Sequence, residues 1–240
     1  MATTLVWSHR GNVDIDYPPR VTNASAVSEG APAENSLGAF RLAQALALDG
    51  VETDTWLSVD GEFVVVHDRQ ATAGLVDRLR RIEVPELPTL AEVISAADSC
   101  RVNVELKMAP GASRELARAT GSELATKLLS TGATEQLVVS SFSRHASDGV
   151  LGAAPFLKVG HLCERVPDRD GLRRLAGAGY WAIHAWVGSL TDASIDAVHE
   201  EGLAVVAWTV NDTSVASRLS RLGAEVLITD RPLAVAQACA

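Results

Sequence analysis

Val102-Asn103-Val104-Glu105-Leu106-Lys107 reads as a β-strand with two unlike faces. Side chains alternate along a strand, so Asn103, Glu105 and Lys107 share one side and Val102, Val104 and Leu106 the other. Seven further short apolar runs lie along the chain, at residues 5–9, 51–56, 137–141, 157–162, 181–186, 204–209 and 225–229. Each is rich in Val, Leu, Ile or Trp, and most are bounded by glycine or a polar turn. Helical patterns lie between them. Residues 37–48 follow an Asn35-Ser36 cap, and residues 90–97 follow Thr89, with Glu92 completing a capping box. Residues 113–130, 192–201 and 214–221 continue the alternation, with Gly132, Gly202 and Gly223 as helix stops. Eight strands alternating with helices imply a parallel sheet, and eight such units close an α/β (β/α)8 TIM-type barrel. The chain has 240 residues, close to the ~250 typical of that fold. Residues 1–240 are therefore expected to form a single barrel domain.

One segment breaks the alternation. Residues 62–67 form a ninth extended run, joined to the second strand through Ser58-Val59-Asp60-Gly61. Asp60-Gly61 is a strong two-residue hairpin signal, so an antiparallel hairpin extension is expected after the second strand. With those two residues as the turn, Val59 opposes Glu62 and Asp54 opposes His67. Residues 12–31 are a long polar stretch after the first strand, expected to hang over the C-terminal face of the barrel.

Hydrophobic residues make up 47% of the chain, ample for a core. Asp and Glu outnumber Lys and Arg by 30 to 21, a net charge of -9. Such an acidic surface argues against nucleic-acid and anionic-membrane partners. No apolar run reaches the ~18 residues of a membrane span, so stable membrane insertion is not expected. The amino terminus has neither a basic start nor a cleavage site. Cys100, Cys163 and Cys239 fit no disulfide framework and no zinc spacing. Together these features point to a cytoplasmic protein with a small-molecule partner.

Strand parity then selects the chemistry. Glu52 and Asp54 share a face of the second strand, and Glu105 and Lys107 share a face of the third. Barrel interiors are ordinarily filled by branched apolar side chains, and burying several charges is expensive unless each is paired or metal-bound. Three carboxylates and a lysine directed into one volume suggest a divalent cation, and oxygen ligands favour Mg²⁺ or Ca²⁺ over zinc. A structural ion-pair cluster is the competing reading. His9 and His67 each end a strand beside acids or arginine, and two imidazoles across one site can supply a base and an acid. Arg10 offers a planar fork that matches phosphate. Trp208 is either an apolar wall for substrate carbons or a barrel-core tryptophan. His184 stands near a strand end as a candidate substrate contact, whereas His145, His161 and His199 read as ordinary hydrogen-bonded residues. No Gly-x-Ser-x-Gly elbow, dinucleotide fingerprint or P-loop is present.

His9-Arg10-Gly11, Glu34-Asn35-Ser36-Leu37, Glu52-Thr53-Asp54, His67-Asp68, Glu105-Leu106-Lys107, Ser141-Phe142, Trp208-Thr209-Val210-Asn211 and Thr229-Asp230-Arg231-Pro232 come in a telling order. The set resembles glycerophosphodiester phosphodiesterases from residue 7 to residue 232. That resemblance implies a (β/α)8 barrel cleaving glycerophosphodiesters to glycerol 3-phosphate and an alcohol. It implies a metal on Glu52, Asp54 and Glu105, with His9 and His67 as the acid/base pair. Arg10 and Lys107 would meet the phosphate, and Trp208 would line the substrate pocket. Three stretches depart from the family pattern, the first being Pro32-Ala33-Glu34-Asn35-Ser36, with its proline one place early and serine for threonine. The long segment 12–31 replaces a very short link, and residues 69–87 lack the Arg-Thr-Thr stretch and the small inserted domain common after His-Asp. The alternatives are a related barrel phosphodiesterase on lysophospholipid or inositol phosphodiesters, a non-catalytic barrel binding phosphorylated ligands, and a metal-independent glycosidase using paired carboxylates.

Overall fold

The computed structural model describes residues 3–14 and 32–240. The polar segment expected at 12–31 falls largely on residues 15–31 and so lies outside the described residues. The strands are β1 (Leu5–Ser8), β2 (Gly50–Leu57), β3 (Phe63–Val65), β4 (Gln70–Ala71), β5 (Gly74–Leu75) and β6 (Arg101–Leu106). They continue as β7 (Leu137–Ser141), β8 (Lys158–Cys163), β9 (Ala182–Trp186), β10 (Ala204–Trp208) and β11 (Val226–Thr229). The helices are α1 (Leu37–Ala45), α2 (Leu90–Ala97), α3 (Arg114–Ser130), α4 (Arg144–Ala153), α5 (Arg169–Gly177), α6 (Asp192–Glu200), α7 (Thr213–Arg221) and α8 (Pro232–Cys239). Strands β1, β2 and β6 to β11 pair in parallel around a ring, and β1 bonds to both β2 and β11. The sheet is therefore a closed eight-stranded barrel, and the eight expected strands all belong to it.

Sequence punctuation accounts for most element boundaries. Ser36 Oγ accepts from Ala39 N at the start of α1, and Thr89 and Glu92 form the expected capping box of α2. Helices α4, α5 and α8 were not anticipated. The reason is visible in α5, where only Leu172 and Leu175 are buried. So narrow a stripe is hidden among Arg, Asp and Gly, although Asp168 caps the helix by accepting from Gly171 N. Helices α3 and α4 cross so closely that two glycines are required. A Cβ on Gly121 would stand 1.9 Å from the Ala146 carbonyl oxygen, and one on Gly149 would stand 2.2 Å from that of Arg118.

The hairpin exists, but its register differs from the expected one. Strand β3 pairs antiparallel with β2 as Thr55↔Val65, Trp56↔Val64 and Leu57↔Phe63. Asp54 is thus level with Val66, whose amide donates to the Asp54 carbonyl at 3.1 Å, and not with His67. The turn holds three residues, Val59, Asp60 and Gly61, instead of two. Gly61 N donates to Ser58 O, Ser58 N donates to Glu62 O, and Gly61 takes φ 83°. This is a type I turn closed by a left-handed glycine bulge. Ser58 Oγ stabilises it by donating to Asp60 and accepting from Glu62 N.

Two apolar regions hold the barrel together. Outward-facing residues of the strands, among them Val51, Val104, Val139, Ile183 and Val205, pack beneath the helices in one continuous shell. Inside, Trp7, Val138, Ala182, Val206 and Val226 fill the lumen towards the N-terminal ends of the strands. Above them the inward positions turn polar, with Glu52, Asp54, Asn103, Glu105, Ser140 and His184 all buried. Barrel enzymes place their chemistry at that C-terminal face. Among the described residues, no helix is long and apolar enough to cross a membrane.

Candidate active site

The polar half of the lumen starts from two neighbouring strands. In the parallel register Glu52 sits beside Asn103, and Asp54 beside Glu105. Alternation turns all four side chains inward. One carboxylate oxygen from each of Glu52, Asp54 and Glu105 lies within 4.8 Å of the others. Glu52 is 4% exposed, Asp54 1% and Glu105 9%.

Two cations face this trio. Lys107 Nζ lies 2.9 Å from Asp54 Oδ1 and also pairs with Glu105 Oε1. Arg10 Nε lies 3.3 Å from Asp54 Oδ2, and its other arm donates to Glu34 Oε1 at 2.9 Å. The backbone of the His9-Arg10-Gly11 turn makes this reach possible. Arg10 adopts φ 54°, a left-handed conformation that is strained for a residue with a side chain. Its amide then donates to Glu52 Oε2 at 3.0 Å. Asn35, also left-handed at φ 54°, donates from Nδ2 to Asp54 Oδ2 at 2.9 Å and accepts from Thr53 Oγ1 at 3.0 Å.

The charge balance tests whether a metal ion fits. Asp54 and Glu105 pair with the two cations, Arg10 also serves Glu34, and Glu52 meets neither side-chain cation, so full ionisation leaves negative charge in excess. That excess falls on Glu52, whose carboxyl is pushed well above the ordinary range by burial and by Asp54 and Glu105 beside it. Burial also raises Glu105, against the pull of Lys107. Asp54 goes the other way. Burial works against its ionisation, but Lys107, the Asn35 hydrogen bond and Arg10 hold it below its usual range. A doubly charged ion at the shared point would let all three ionise, and an all-oxygen donor set suits a hard divalent cation. The residues fit such an ion.

Two histidines flank the trio. His9 Nδ1 is 2.7 Å from Asp230 Oδ1, and its Nε2 is 4.0 Å from Glu52 Oε2. His67 Nδ1 is 2.8 Å from Asp68 Oδ1. An ionised carboxylate only accepts, so each Nδ1 donates to its aspartate and each Nε2 is turned away from it, able to take or give a proton. His67 lies beyond the end of β3, where the chain has left the strand, and its carbonyl accepts from Trp56 Nε1. It reaches the site from that position despite the shifted register.

A cavity of about 210 Å³ joins these groups. His9, Arg10, Glu52, His67, Glu105, Lys107 and Trp208 all line it, and Asp54 supports it from Lys107 and Arg10. Opposite the charges stands an apolar wall. Trp208 donates from Nε1 to the His184 carbonyl at 2.9 Å, and Phe142 meets the Trp208 ring edge-on at 5.8 Å between centroids. A larger cavity of about 560 Å³ lies on the far side of His67, bordered by Glu34, Asn35, Asp68 and Glu86.

All eight candidate residues therefore gather at one place. His184 does not line the cavity. It is fully buried beneath it, and burial pushes its imidazole down to about 3. Ser141 is structural, since its hydroxyl donates to the Leu106 carbonyl. Sequence reasoning quoted Asn35, Asn211 and Asp230 within motifs and read Asn35 as part of a helix cap, but gave none of them, nor Asn12, a role in the site. Asp230 accepts from His9 and from both asparagines, Asn12 at 3.0 Å and Asn211 at 2.7 Å. The available signal was position, because Asp230 directly follows the last barrel strand.

The closed barrel carries acids and two imidazoles at the C-terminal ends of its strands, the place where α/β-barrel enzymes keep their active sites. The comparisons narrow this. The chain belongs to the glycerophosphoryl diester phosphodiesterase family, whose model matches residues 9–234, and it is a phosphoric diester hydrolase. It is 26% identical over 258 residues to a glycerophosphodiester phosphodiesterase of Caldanaerobacter subterraneus subsp. tengcongensis, covering 95% of each chain. A crystal structure of a glycerophosphodiester phosphodiesterase from Parabacteroides distasonis superposes with a TM-score of 0.82 at 20% identity, over 99% of this chain and 97% of that one. An Oleispira antarctica phosphodiesterase, solved with the product sn-glycerol-3-phosphate, gives a TM-score of 0.75 at 21% identity, over 98% and 96%.

Proposed function

We propose that the protein hydrolyses glycerophosphodiesters to glycerol 3-phosphate and an alcohol, using His9 and His67 as acid and base beside a divalent cation. The observation that carries this is the matched pair of imidazoles. Each has Nδ1 bonded to an aspartate, and both rings border the cavity next to the carboxylate trio. The product held by the Oleispira antarctica relative agrees with the reading.

Glu52, Asp54 and Glu105 would hold the cation, Mg²⁺ or Ca²⁺, which supplies Lewis-acid polarisation of a phosphate oxygen. Arg10 and Lys107 orient the phosphate and offset the charge that grows on its equatorial oxygens. One imidazole Nε2 removes the proton of the glycerol hydroxyl next to the ester as that oxygen attacks phosphorus. The other imidazole, protonated, gives its proton to the departing alkoxide. Water then opens the cyclic ester with the two roles exchanged, which restores both rings. Trp208 walls the carbon side of the glycerol. Each proton transfer contributes ~10²–10⁴-fold.

One observation keeps a second substrate in view. Phe142 and Trp186 are about half exposed at the strand ends next to Trp208, so a substrate with an apolar tail, such as a lysophospholipid, has a surface to rest on. A panel of glycerophosphodiesters and lysophospholipids, with phosphomonoester release measured before and after chelation, tests both. Release of glycerol 3-phosphate that stops with chelator and returns with added cation supports the proposal. Turnover indifferent to chelator refutes it.

A further inference from the structure

We propose that Asn103 supplies a fourth oxygen to the cation site and biases it towards Ca²⁺ over Mg²⁺. The inference rests on the metal reading of the trio given above. Asn103 points into the lumen beside Glu52, two residue pairs below Asp54 and Glu105 in the register. It is 1% exposed and borders the catalytic cavity. Its amide is oriented by Ser140, whose hydroxyl oxygen accepts from Asn103 Nδ2 at 3.1 Å. The opposite end, Oδ1, has no hydrogen-bond partner among the described residues.

A buried carbonyl oxygen without a donor is rare and calls for a reason. The cations and the nearer imidazole of the site face acids rather than this oxygen. Lys107 and Arg10 are turned to carboxylates, and His9 Nδ1 to Asp230. The adjacent Glu52 carboxylate, when ionised, can only accept. What remains for an acceptor set among three acids is a positive ion. Ca²⁺ takes six to eight oxygens and readily includes amide carbonyls, whereas Mg²⁺ keeps several waters and uses few protein ligands. A neutral oxygen added to three carboxylates therefore favours the larger ion.

The test is calorimetric titration of the chelator-stripped full chain with CaCl2 and, separately, MgCl2. Asn103→Leu is expected to weaken Ca²⁺ binding on the order of 10–100-fold and Mg²⁺ binding far less. Asn103→Asp, nearly isosteric and still presenting oxygen, is expected to bind Ca²⁺ at least as tightly as the parent chain. Should the leucine variant fail to fold, the aspartate variant decides alone. Ca²⁺ affinity unchanged in Asn103→Leu, or lowered in Asn103→Asp, overturns the assignment. Absence of any saturable cation binding by the parent chain overturns the metal reading along with it.

Discussion

His9 Nδ1 and Asp230 Oδ1 form a 2.7 Å hydrogen bond between residues 221 positions apart in the chain, tying the first barrel strand to the last. The bond sets which ring nitrogen carries the proton and aims the other towards Glu52. Asp230→Asn keeps the shape and removes the charge that stabilises a protonated imidazole. It is expected to lower kcat on the order of 10²-fold or more while KM stays within a few-fold. Steady-state kinetics on a glycerophosphodiester checks this, and an unchanged kcat would remove Asp230 from the account.

The same aspartate predicts a pH dependence of stability. Burial works to raise its carboxyl, yet hydrogen bonds from His9, Asn211 and Asn12 hold it well below the usual range. A carboxyl depressed in the folded state stabilises above its unfolded value of about 3.9, and that stabilisation is lost as pH falls through the folded value. The gap in melting temperature between the parent chain and Asp230→Asn should be widest near about pH 6 and should shrink towards about pH 3. Thermal unfolding followed by circular dichroism measures it. A gap that widens on acidification would contradict the assignment.

Gly160 makes room for His184. A Cβ there would stand 2.2 Å from the ring Cδ2 and 2.3 Å from Nε2, and the ring is fully buried. Gly160→Ala is expected to destabilise the barrel by about 1–3 kcal/mol, the range for overpacking a core. His184→Ala in the same chain should recover much of that loss, because the two positions share one volume. Denaturant titration of the single and double variants gives the answer, and additive effects would show that the clash is not the cause.

Asn35 braces the site through Asp54 and Thr53 while adopting a left-handed backbone. Asn35→Gly keeps the backbone and loses the hydrogen bonds, and Asn35→Ala loses both. Removing the partner of a buried carboxylate costs about 1–3 kcal/mol, so both variants should melt earlier than the parent chain, with alanine the worse of the two. Equal melting temperatures for alanine and glycine would mean that the backbone conformation contributes nothing.

Much of this architecture was legible in the residues, because its signals are local. Period-two alternation in Val102 to Lys107 marked a strand and sorted its charges to one side, and the register places Glu105 beside Asp54. The Thr89/Glu92 box and the positive φ of Gly132 and Gly202 fall where their residue types predict. The hairpin register failed for a physical reason. Asp-Gly serves either a two-residue turn or the end of a three-residue turn with a bulge, and the Ser58 hydroxyl selects the second. The roles of Asp230, Asn35 and Asn103 stayed hidden because their partners are remote in sequence. Those roles appear only when the barrel brings β11 to β1, the α1 entry to β2, and β6 between β2 and β7.

Release of glycerol 3-phosphate from glycerophosphocholine is the most direct check, measured for the parent chain and for Glu105→Gln, each chelated and then supplied with Ca²⁺ or Mg²⁺. The account predicts that the parent chain loses turnover with chelator and regains it with cation, and that Glu105→Gln stays inactive in every condition. Turnover in the chelated parent chain, or cation-independent activity in Glu105→Gln, would contradict it.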